Sequence, residues 1–464
     1  MTSTTITNIP KPFAHQIAAT KFWLSTPRMC NFSDPGTGKT RATLDAIATR
    51  TDGGRTLVIA PLSILECSWG EDIKKFTPHL TYSIADARHR KEAFEQETEI
   101  VLINHDGVKQ LAAQPELLVG FNTVVVDEST AFKNRNSQRS KALMQIVNGM
   151  EYRVILTGTP NSNTVADLWH QIFLLDGGAR LGQNFFGFQR TVCNPMVLNT
   201  GMRSVTKWVD KENANAMVST ALADIVFRVK FEDVIEIPSN YTRTVEVNLP
   251  ANVRKLYNEF MRDSIVGLDT GVITAVNAGA LARKLLQLLT GAVYDSAGNV
   301  HTAYNERYEL VLDLVEETDH SVVAFNWRHE RVALCALADK RGVRYAVIDG
   351  DTPFNARSQI VADFQNGKLQ VIFAHPQSAG HGLTLTRGNR TIWASPTYNA
   401  EHYQQFCRRI YRAGQSRKTE TIRIAAKGTI ESDVYQKLEG KLGSMNELLS
   451  YAKELYQHSI KQEN

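Results

Sequence analysis

Residues 33–40, SDPGTGKT, bring together flexible backbone, one lysine and one hydroxyl in an order suited to wrapping an anion. Gly36 and Gly38 let the main chain approach closely. Backbone N–H groups along Asp34, Pro35, Gly36, Thr37, Gly38, Lys39 and Thr40, proline excepted, can then surround phosphate oxygens, and a following helix adds its favourable N-terminal polarity. Lys39 would neutralise the terminal phosphates and the Thr40 hydroxyl would complete the coordination of a magnesium ion. The strict phosphate-loop spacing wants glycine where Ser33 stands, so the pattern is met only at its end. An ordinary glycine-rich turn has the same composition, and a second element decides against it. The run VVVDEST ends a buried strand with Asp127 and Glu128. Asp127 is suited to hold the metal and Glu128 to orient or deprotonate an attacking water. Helix capping commonly uses one such acid, but explains poorly a pair directly after three valines.

These residues need a scaffold that sets a loop and a pair of acids side by side. From residue 29 onward, short Val/Ile/Leu runs alternate with stretches of helical period, as in a parallel sheet covered by helices. The expected strands are 29–32, 56–60, 100–104, 123–126 and 153–157. After residue 175 the rhythm breaks, and residues 176–240 read as a helical or irregular insertion, centred on about 176–235. The alternating segment YTRTVEVNL, bracketed by Pro238 and Pro250, reads as the crossing between two lobes. The α/β rhythm resumes with expected strands 322–325, 345–348, 371–374, 391–394 and 421–424. The expected division is a first domain over 1–240 and a second over 241–464, the latter with a helical insertion near 250–290 and a C-terminal helix over 430–455.

A chain of 464 residues suits two or three such domains. Its 43% hydrophobic and 22% charged residues exclude disordered and collagen-like classes. With 52 Lys plus Arg against 48 Asp plus Glu, any basic track for nucleic acid must be local. Cys30, Cys67, Cys193, Cys335 and Cys407 lack the paired spacing of zinc ligands or a disulfide framework, so no zinc and reduced thiols are expected. The N-terminal stretch has no secretory pattern and no run is long enough to span a bilayer, which leads to the expectation of a cytoplasmic protein without a membrane partner.

With these elements in place, the sequence resembles the Swi/Snf-type DNA translocases of helicase superfamily two, over nearly the whole chain. Gln16 in FAHQ resembles the family's adenine-reading glutamine. APLSILECSWGEDIKKF and LTGTP (residues 156–160) resemble further family segments, the latter coupling hydrolysis to nucleic-acid binding. FRVKFEDVIEIPSNYTRTVEVNLP resembles the passage from the helical protrusion into the second lobe. VIDGDTPFNARSQIVADFQNG, SAGHGLTL and QQFCRRIYRAGQSRKTETIRIAAKGTIESDVYQK resemble hallmarks of that lobe. Three departures stand out: Thr130 where the family has His, implying that the link from the metal site to the neighbouring motif can use a hydroxyl; Ser378 and Ala379 where Ala and Gly are usual; and Thr384 in place of Asn.

The resemblance implies two RecA-like parallel-sheet domains in tandem with helical insertions, ATP as substrate and Mg2+ as cofactor. In CRRIYRAGQ, Arg409 and Arg412 lie three apart and Arg408 and Arg412 four apart, and helical spacing does not choose between the pairs. The resemblance assigns Arg409 and Arg412 to the γ-phosphate, with Arg412 as the finger, and adds Gly382 to the nucleotide-binding set. It also implies DNA, double-stranded or branched, as partner. The candidate contacts are Ser63, Thr157 and Thr159 on the first lobe and Ser378, Thr384 and Trp393 on the second, reaching phosphates without base readout. Lys133, Asn134 and Arg135 read as a solvated loop, and His381 as a loop residue. The leading expectation is an ATP-driven translocase on double-stranded DNA in recombination, repair or replication, in a compact prokaryotic or phage form. Against it stand a strand-separating or branch-migrating helicase acting on forks and R-loops, and a nucleotide-dependent scaffold with little turnover, which the intact set of Lys39, Asp127, Glu128, Arg409 and Arg412 disfavours.

Overall fold

The computed structural model describes residues 9–158, 160–161, 164–200, 203–269, 275–294, 299–379 and 383–439. The chain divides into two units, residues 1–196 with 208–236, and residues 197–207 with 237–464. The first unit carries β1 (Arg28–Asn31), β2 (Arg55–Ala60), β3 (Tyr82–Ala85), β4 (Ile100–Asn104), β5 (Phe121–Asp127) and β6 (Tyr152–Leu156). Further along the chain come β7 (Cys193–Thr200) and β8 (Arg203–Asp210), which pair with each other and whose residues between 197 and 207 belong to the second unit, and then β9 (Val226–Phe227) in the first. The main sheet runs in the order β3-β4-β2-β5-β6-β1-β9 with every pairing parallel.

Continuous apolar runs form these strands because both faces of the sheet are covered. Leu57, Ile59, Val124 and Val126 enter one core cluster, while Val58, Ala60 and Val125 enter the other. Side chains that alternate along a strand thus find apolar cover on either side. Each buried Val of the β5 run contributes about 1.5–3 kcal/mol relative to exposure.

The second unit carries β10 (Asn240–Val247), β11 (Ala292–Tyr294), β12 (Val300–Thr302), β13 (Ser321–Ala324), β14 (Tyr345–Ile348), β15 (Val371–Ala374), β16 (Arg390–Trp393) and β17 (Thr419–Ala426). Its main sheet, again all parallel, runs β10-β17-β16-β13-β15-β14, and β11 pairs antiparallel with β12. Helices Ala251–Asp269 and Ala275–Leu289 precede this small pair. The two-sheet α/β architecture is the fold class expected from the sequence.

Two readings of the pattern need correction. Residues 176–235 are not only helical: besides helices Phe185–Val192 and Ala214–Leu222 they contain β7, β8 and β9. The run RSVTKWVD has the β-branched alternation of a strand, which the surrounding Asn and Gly masked. YTRTVEVNL is likewise more than a connection, since β10 pairs with β17 in register over eight residues, Asn240 with Thr419 through Val247 with Ala426. Its alternating half-exposed pattern is that of an edge strand. The C-terminal helix is described over Ile430–Leu438, and residues 440–455 of its expected span lie outside the described residues.

Candidate active site

The sheet order places β5, β6 and β1 side by side, so the segments leaving their carboxyl ends emerge together, where open α/β sheets bind ligands. From β1 comes the phosphate loop, from β5 Asp127 and Glu128, and from β6 the run that begins at Thr157. The Thr157 N–H donates to the Asn31 carbonyl at 3.2 Å, tying the end of β6 to that of β1.

The loop is held from outside its own sequence. Asn31 Oδ1 accepts from the Ser33 N–H at 3.1 Å, Ser33 Oγ accepts from the Val229 N–H at 3.2 Å, and Asp34 Oδ2 accepts from the Phe231 N–H at 3.1 Å. Gly36 and Gly38 adopt φ of 87° and 79°, a region that favours glycine, and the helix Lys39–Thr49 starts directly behind them. A Cβ on Gly38 would lie 2.1 Å from Gln16 Nε2, and one on Gly158 would lie 2.6 Å from Pro35 Cδ. The N–H groups of Gly36 and Gly38 have no acceptor among the described residues, which leaves them to an anion. Lys39 Nζ donates to the carbonyls of Ser33 at 2.8 Å and Asp34 at 3.3 Å, within the loop it serves.

Gln16 is buried against this loop. Its Nε2 donates to the Thr37 carbonyl at 3.3 Å and its Oε1 accepts from the Phe13 N–H at 2.9 Å, while His15 Nε2 lies 2.8 Å from the same Thr37 carbonyl. One end of the carboxamide therefore holds the loop while the other caps the helix that carries Gln16.

Asp127 is the last residue of β5 and is buried; Trp69 donates its indole N–H to Oδ2 at 2.9 Å and the Glu128 N–H donates to Oδ1 at 3.0 Å. Burial raises the carboxyl above the usual range, opposed by the Trp69 hydrogen bond and the Lys39 charge. Glu128 has φ 51°, the one non-glycine residue in left-handed backbone among those described. Such a conformation costs about 1–3 kcal/mol and persists where the surroundings over-determine it, most often at functional sites. His105 Nε2 sits 2.8 Å from the Asp127 carbonyl, and burial depresses its pKa to about 4, so it is neutral at this position.

The sequence points to Thr130 for a hydroxyl link from the acids, and the link to the LTGTP segment is made by its neighbour Ser129. Ser129 Oγ donates to Gln171 Oε1 at 2.7 Å, and Gln171 Nε2 donates to the carbonyls of Pro160 at 2.7 Å and Asp167 at 3.0 Å. Gln171 is fully buried, as a relay of this kind must be to keep its partners fixed. Trp69, His105 and Gln171 were not signalled by the sequence, because their partners lie 58, 22 and 42 residues away.

The donor set suits magnesium. It offers one carboxylate and one hydroxyl, all hard oxygen, and the Thr40 hydroxyl makes no hydrogen bond among the described residues. No cluster of three or more His, Cys, Asp or Glu capable of holding a metal occurs among those residues.

Of the remaining first-unit candidates, Ser63 is half-buried, whereas Thr157 is 0% exposed at the end of β6 and is withdrawn as a nucleic-acid contact. Thr159 lies outside the described residues. Lys133 pairs with Asp167 at 3.0 Å, and the Arg135 guanidinium lies over the rings of Phe185 and Phe186, so neither is a plain solvated loop residue.

In the second unit the helix Ala400–Cys407 stops before the arginines, so helical spacing does not bring them together. A shared acceptor does: Arg409 Nη1 and Arg412 Nη1 donate to the Leu383 carbonyl at 3.3 and 3.0 Å. The Arg408 guanidinium instead lies 5.0 Å from the Tyr411 ring centre. Ser378 and Thr384 are half-buried, while Gly382 and His381 lie outside the described residues. Trp393 must be withdrawn as a nucleic-acid contact. It is 0% exposed and packs tilted against Tyr403 and edge-on to Phe406, a core position in which no ring face is left for a ligand.

Fully buried Glu330 clasps the loops that follow β13 and β16. Its Oε2 accepts from the N–H groups of Asn326 at 2.7 Å and Trp327 at 2.9 Å and from Ser395 Oγ at 2.9 Å, and Asn326 Nδ2 donates to the Ser395 and Pro396 carbonyls. Burial raises its pKa from 4.5 to about 7. The folded state then holds this proton more tightly than the unfolded chain, so stability falls as pH rises from about 4.5 to about 7, by at most about 3 kcal/mol. Glutamine can present its carbonyl oxygen to the same three donors. A Glu330→Gln protein is therefore expected to show a melting temperature that falls less steeply over that interval, followed by circular dichroism. Identical slopes in variant and parent would contradict the assignment.

The chain belongs to the SNF2-related domain family, whose model matches residues 15–292, and the helicase conserved C-terminal domain matches residues 306–414. It is an SNF2-type ATPase of helicase superfamily two. Among relatives, putative protein p41 of Acyrthosiphon pisum secondary endosymbiont phage 1 is 28% identical over 96% of this chain and 98% of its own length. The human DNA annealing helicase and endonuclease ZRANB3 is 25% identical over 94% of this chain, which spans 40% of that protein's length. The Sulfolobus solfataricus SWI2/SNF2 ATPase core in complex with dsDNA matches with TM-score 0.45 and 22% identity, covering 95% of this chain and 93% of the other. No helix among the described residues is long and apolar enough to cross a membrane.

Proposed function

We propose that the chain is a DNA-stimulated ATPase that moves along double-stranded DNA. The observation that carries this reading is the convergence, at the carboxyl ends of β5, β6 and β1, of an anion loop with two adjacent acids, one in left-handed backbone. ATP is the substrate: the Gly36 and Gly38 N–H groups hold its phosphates, and Lys39 exchanges the Ser33 and Asp34 carbonyls for phosphate oxygens. Asp127 and Thr40 would hold magnesium, which would supply charge neutralisation to the terminal phosphates. Glu128 orients the attacking water and takes its proton. Arg409 and Arg412 supply the further positive charge that the transferring phosphoryl group requires. The Ser129–Gln171–Pro160 relay, with Gly158 packed on Pro35, transmits the state of the phosphates to the LTGTP segment, where Thr159 is a candidate DNA contact along with Ser63, Ser378 and Thr384.

Support for DNA as the track comes from the SNF2-related family itself and from relatives named as helicases. The match over 94% of the chain to a protein named a DNA annealing helicase favours, as a second reading, remodelling of forks or branched DNA. A bacterial or virus-infected cytoplasm, and a role in recombination, repair or replication, belong to the same proposal and agree with the phage origin of p41.

The deciding experiment is ATP turnover at stated salt with double-stranded, single-stranded and branched DNA and with RNA, alongside a three-strand displacement assay. Stimulation by duplex with displacement of the third strand is the expected result. Release of a strand from a forked duplex would favour the second reading, and no stimulation by any nucleic acid would overturn both.

A further inference from the structure

A polar cavity of about 460 Å3 opens in the second unit, and none of its lining residues has so far been given a role. Its lining comes from segments that lead into the amino ends of neighbouring parallel strands. His320 immediately precedes β13, Thr386 and Arg387 lead into β16, Ser416 and Arg417 lead into β17, and Gln365 closes the helix Phe354–Gln365 on the way to β15. The loops that Glu330 clasps leave the carboxyl ends of the same sheet, so the cavity faces the other edge.

Its charge is not neutralised internally. Neighbouring Arg390 is paired with Glu317 at 2.9 Å and Glu420 at 3.0 Å, whereas neither Arg387 nor Arg417 has a carboxylate within ion-pair distance among the described residues. Asp319, exposed, is the one acid on the lining, against two guanidinium groups, and Arg344 adds its charge close to His320.

The arginines are also held in place. Arg387 Nε donates to His320 Nε2 at 3.0 Å and its Nη1 to the Gln365 carbonyl at 3.2 Å, while its own N–H donates to Gln365 Oε1 at 2.9 Å. Gly367, with φ 77°, lies beneath it, and a Cβ there would come within 2.6 Å of Arg387 Nη2. His320 must be neutral to accept, in keeping with its lowered pKa, which burial and then the charges of Arg387, Arg417 and Arg344 produce. Arg417 donates to the Arg387 carbonyl, and its N–H donates to Gln415 Oε1 at 2.9 Å. Gln415 in turn donates to the carbonyls of Thr386 and Gly388 at 3.0 and 2.9 Å. Guanidinium groups fixed in this way, beside the hydroxyls of Thr386 and Ser416, match a tetrahedral oxyanion and lose little freedom on binding one.

We propose that this cavity is a phosphate-binding site, which in a protein acting on DNA takes a backbone phosphate of a second stretch of the nucleic acid. The identification of DNA rests on the function proposed above; the phosphate chemistry does not. The same cavity could be filled by a free polyphosphate, and the test separates the two sources.

The full-length protein and its Arg387→Gln/Arg417→Gln double variant would be titrated with a long duplex and a branched duplex over a range of salt. The expected result is a plot of log affinity against log salt that is shallower by about 1 for the variant, since losing one phosphate contact removes about one unit of slope. Arg387→Lys/Arg417→Lys, which keeps the charge, should retain the parental slope, and equal melting temperatures establish that the variants fold. In a parallel arm, tripolyphosphate binding is measured by calorimetry in a Lys39→Ala background, so that the phosphate loop does not contribute. Loss of tripolyphosphate binding in the glutamine variant, with DNA slopes unchanged, assigns the site to a free polyphosphate. If the parent binds no DNA, the motor reading fails, and the tripolyphosphate arm still decides the cavity. Glutamine variants that match the parent in both arms overturn the proposal.

Discussion

Replacing Glu128 by glutamine is expected to lower DNA-stimulated ATP turnover by about 100- to 10,000-fold, the range associated with removing a positioned general base. Glutamine has the size and the carbonyl oxygen of the glutamate but cannot accept the proton of the attacking water. The left-handed backbone at residue 128 aims the side chain away from the direction β5 would otherwise give it, and the Glu128 N–H is fixed on Asp127 Oδ1 at 3.0 Å. The substitution leaves that hydrogen bond and the backbone strain as they are. Fold and nucleotide binding should therefore survive, and the loss should fall on kcat while ATP affinity stays near the parental value. Steady-state turnover combined with binding of a fluorescent ATP analogue measures both. Full turnover in Glu128→Gln would remove Glu128 from the chemistry.

The strands that were legible in the sequence are those buried on both faces, such as VVVD of β5 and VIFA of β15, where uniform apolar character is itself the signal. What escaped was short or lay at an edge. β3 alternates half-buried and buried, and β9 has two residues; neither produces a run. β10 was visible as alternation, but alternation alone does not say whether a segment joins two lobes or lies along the rim of one sheet. Only its pairing with β17, some 180 residues later, decides that.

The site divides in the same way. Lys39, Asp127 and Glu128 were readable because their chemistry depends on neighbours in sequence: a glycine-bearing loop on one side, three valines on the other. Trp69, His105 and Gln171 are equally close to that chemistry, yet a lone Trp, His or Gln carries no local sign that a carboxylate or a carbonyl from a distant strand will meet it. Trp393 shows the converse. A tryptophan at a suggestive place reads alike whether its ring faces a ligand or packs between Tyr403 and Phe406, and burial alone separates the two.

Lys39→Ala is expected to abolish turnover by a different route, and the difference is the sharper test of the site. The lysine is not what shapes the loop. Asn31 and Ser33 fix its start, Phe231 holds Asp34, and Thr37 Oγ1 donates to the Asp34 carbonyl at 2.8 Å while Gln16 and His15 meet the Thr37 carbonyl. Removing Nζ leaves the Ser33 and Asp34 carbonyls to water at a half-buried position, so the melting temperature should shift little. What is lost is the one flexible cation of the loop, where the terminal phosphates carry their charge; removing a group that stabilises charge in a transition state costs about 3–4 kcal/mol, or 100- to 1,000-fold. That charge acts on bound ATP as well as on the reacting state, so affinity should fall together with turnover. Arginine should not restore either, because its rigid planar fork cannot fold into the space between the Ser33 and Asp34 carbonyls as a point charge does. The two variants thus predict opposite patterns: Glu128→Gln holds ATP without hydrolysing it, and Lys39→Ala fails to hold it. An alanine variant that bound the ATP analogue as tightly as the parent would separate Lys39 from the phosphates, leaving the loop's backbone donors as their only ligands in the first unit.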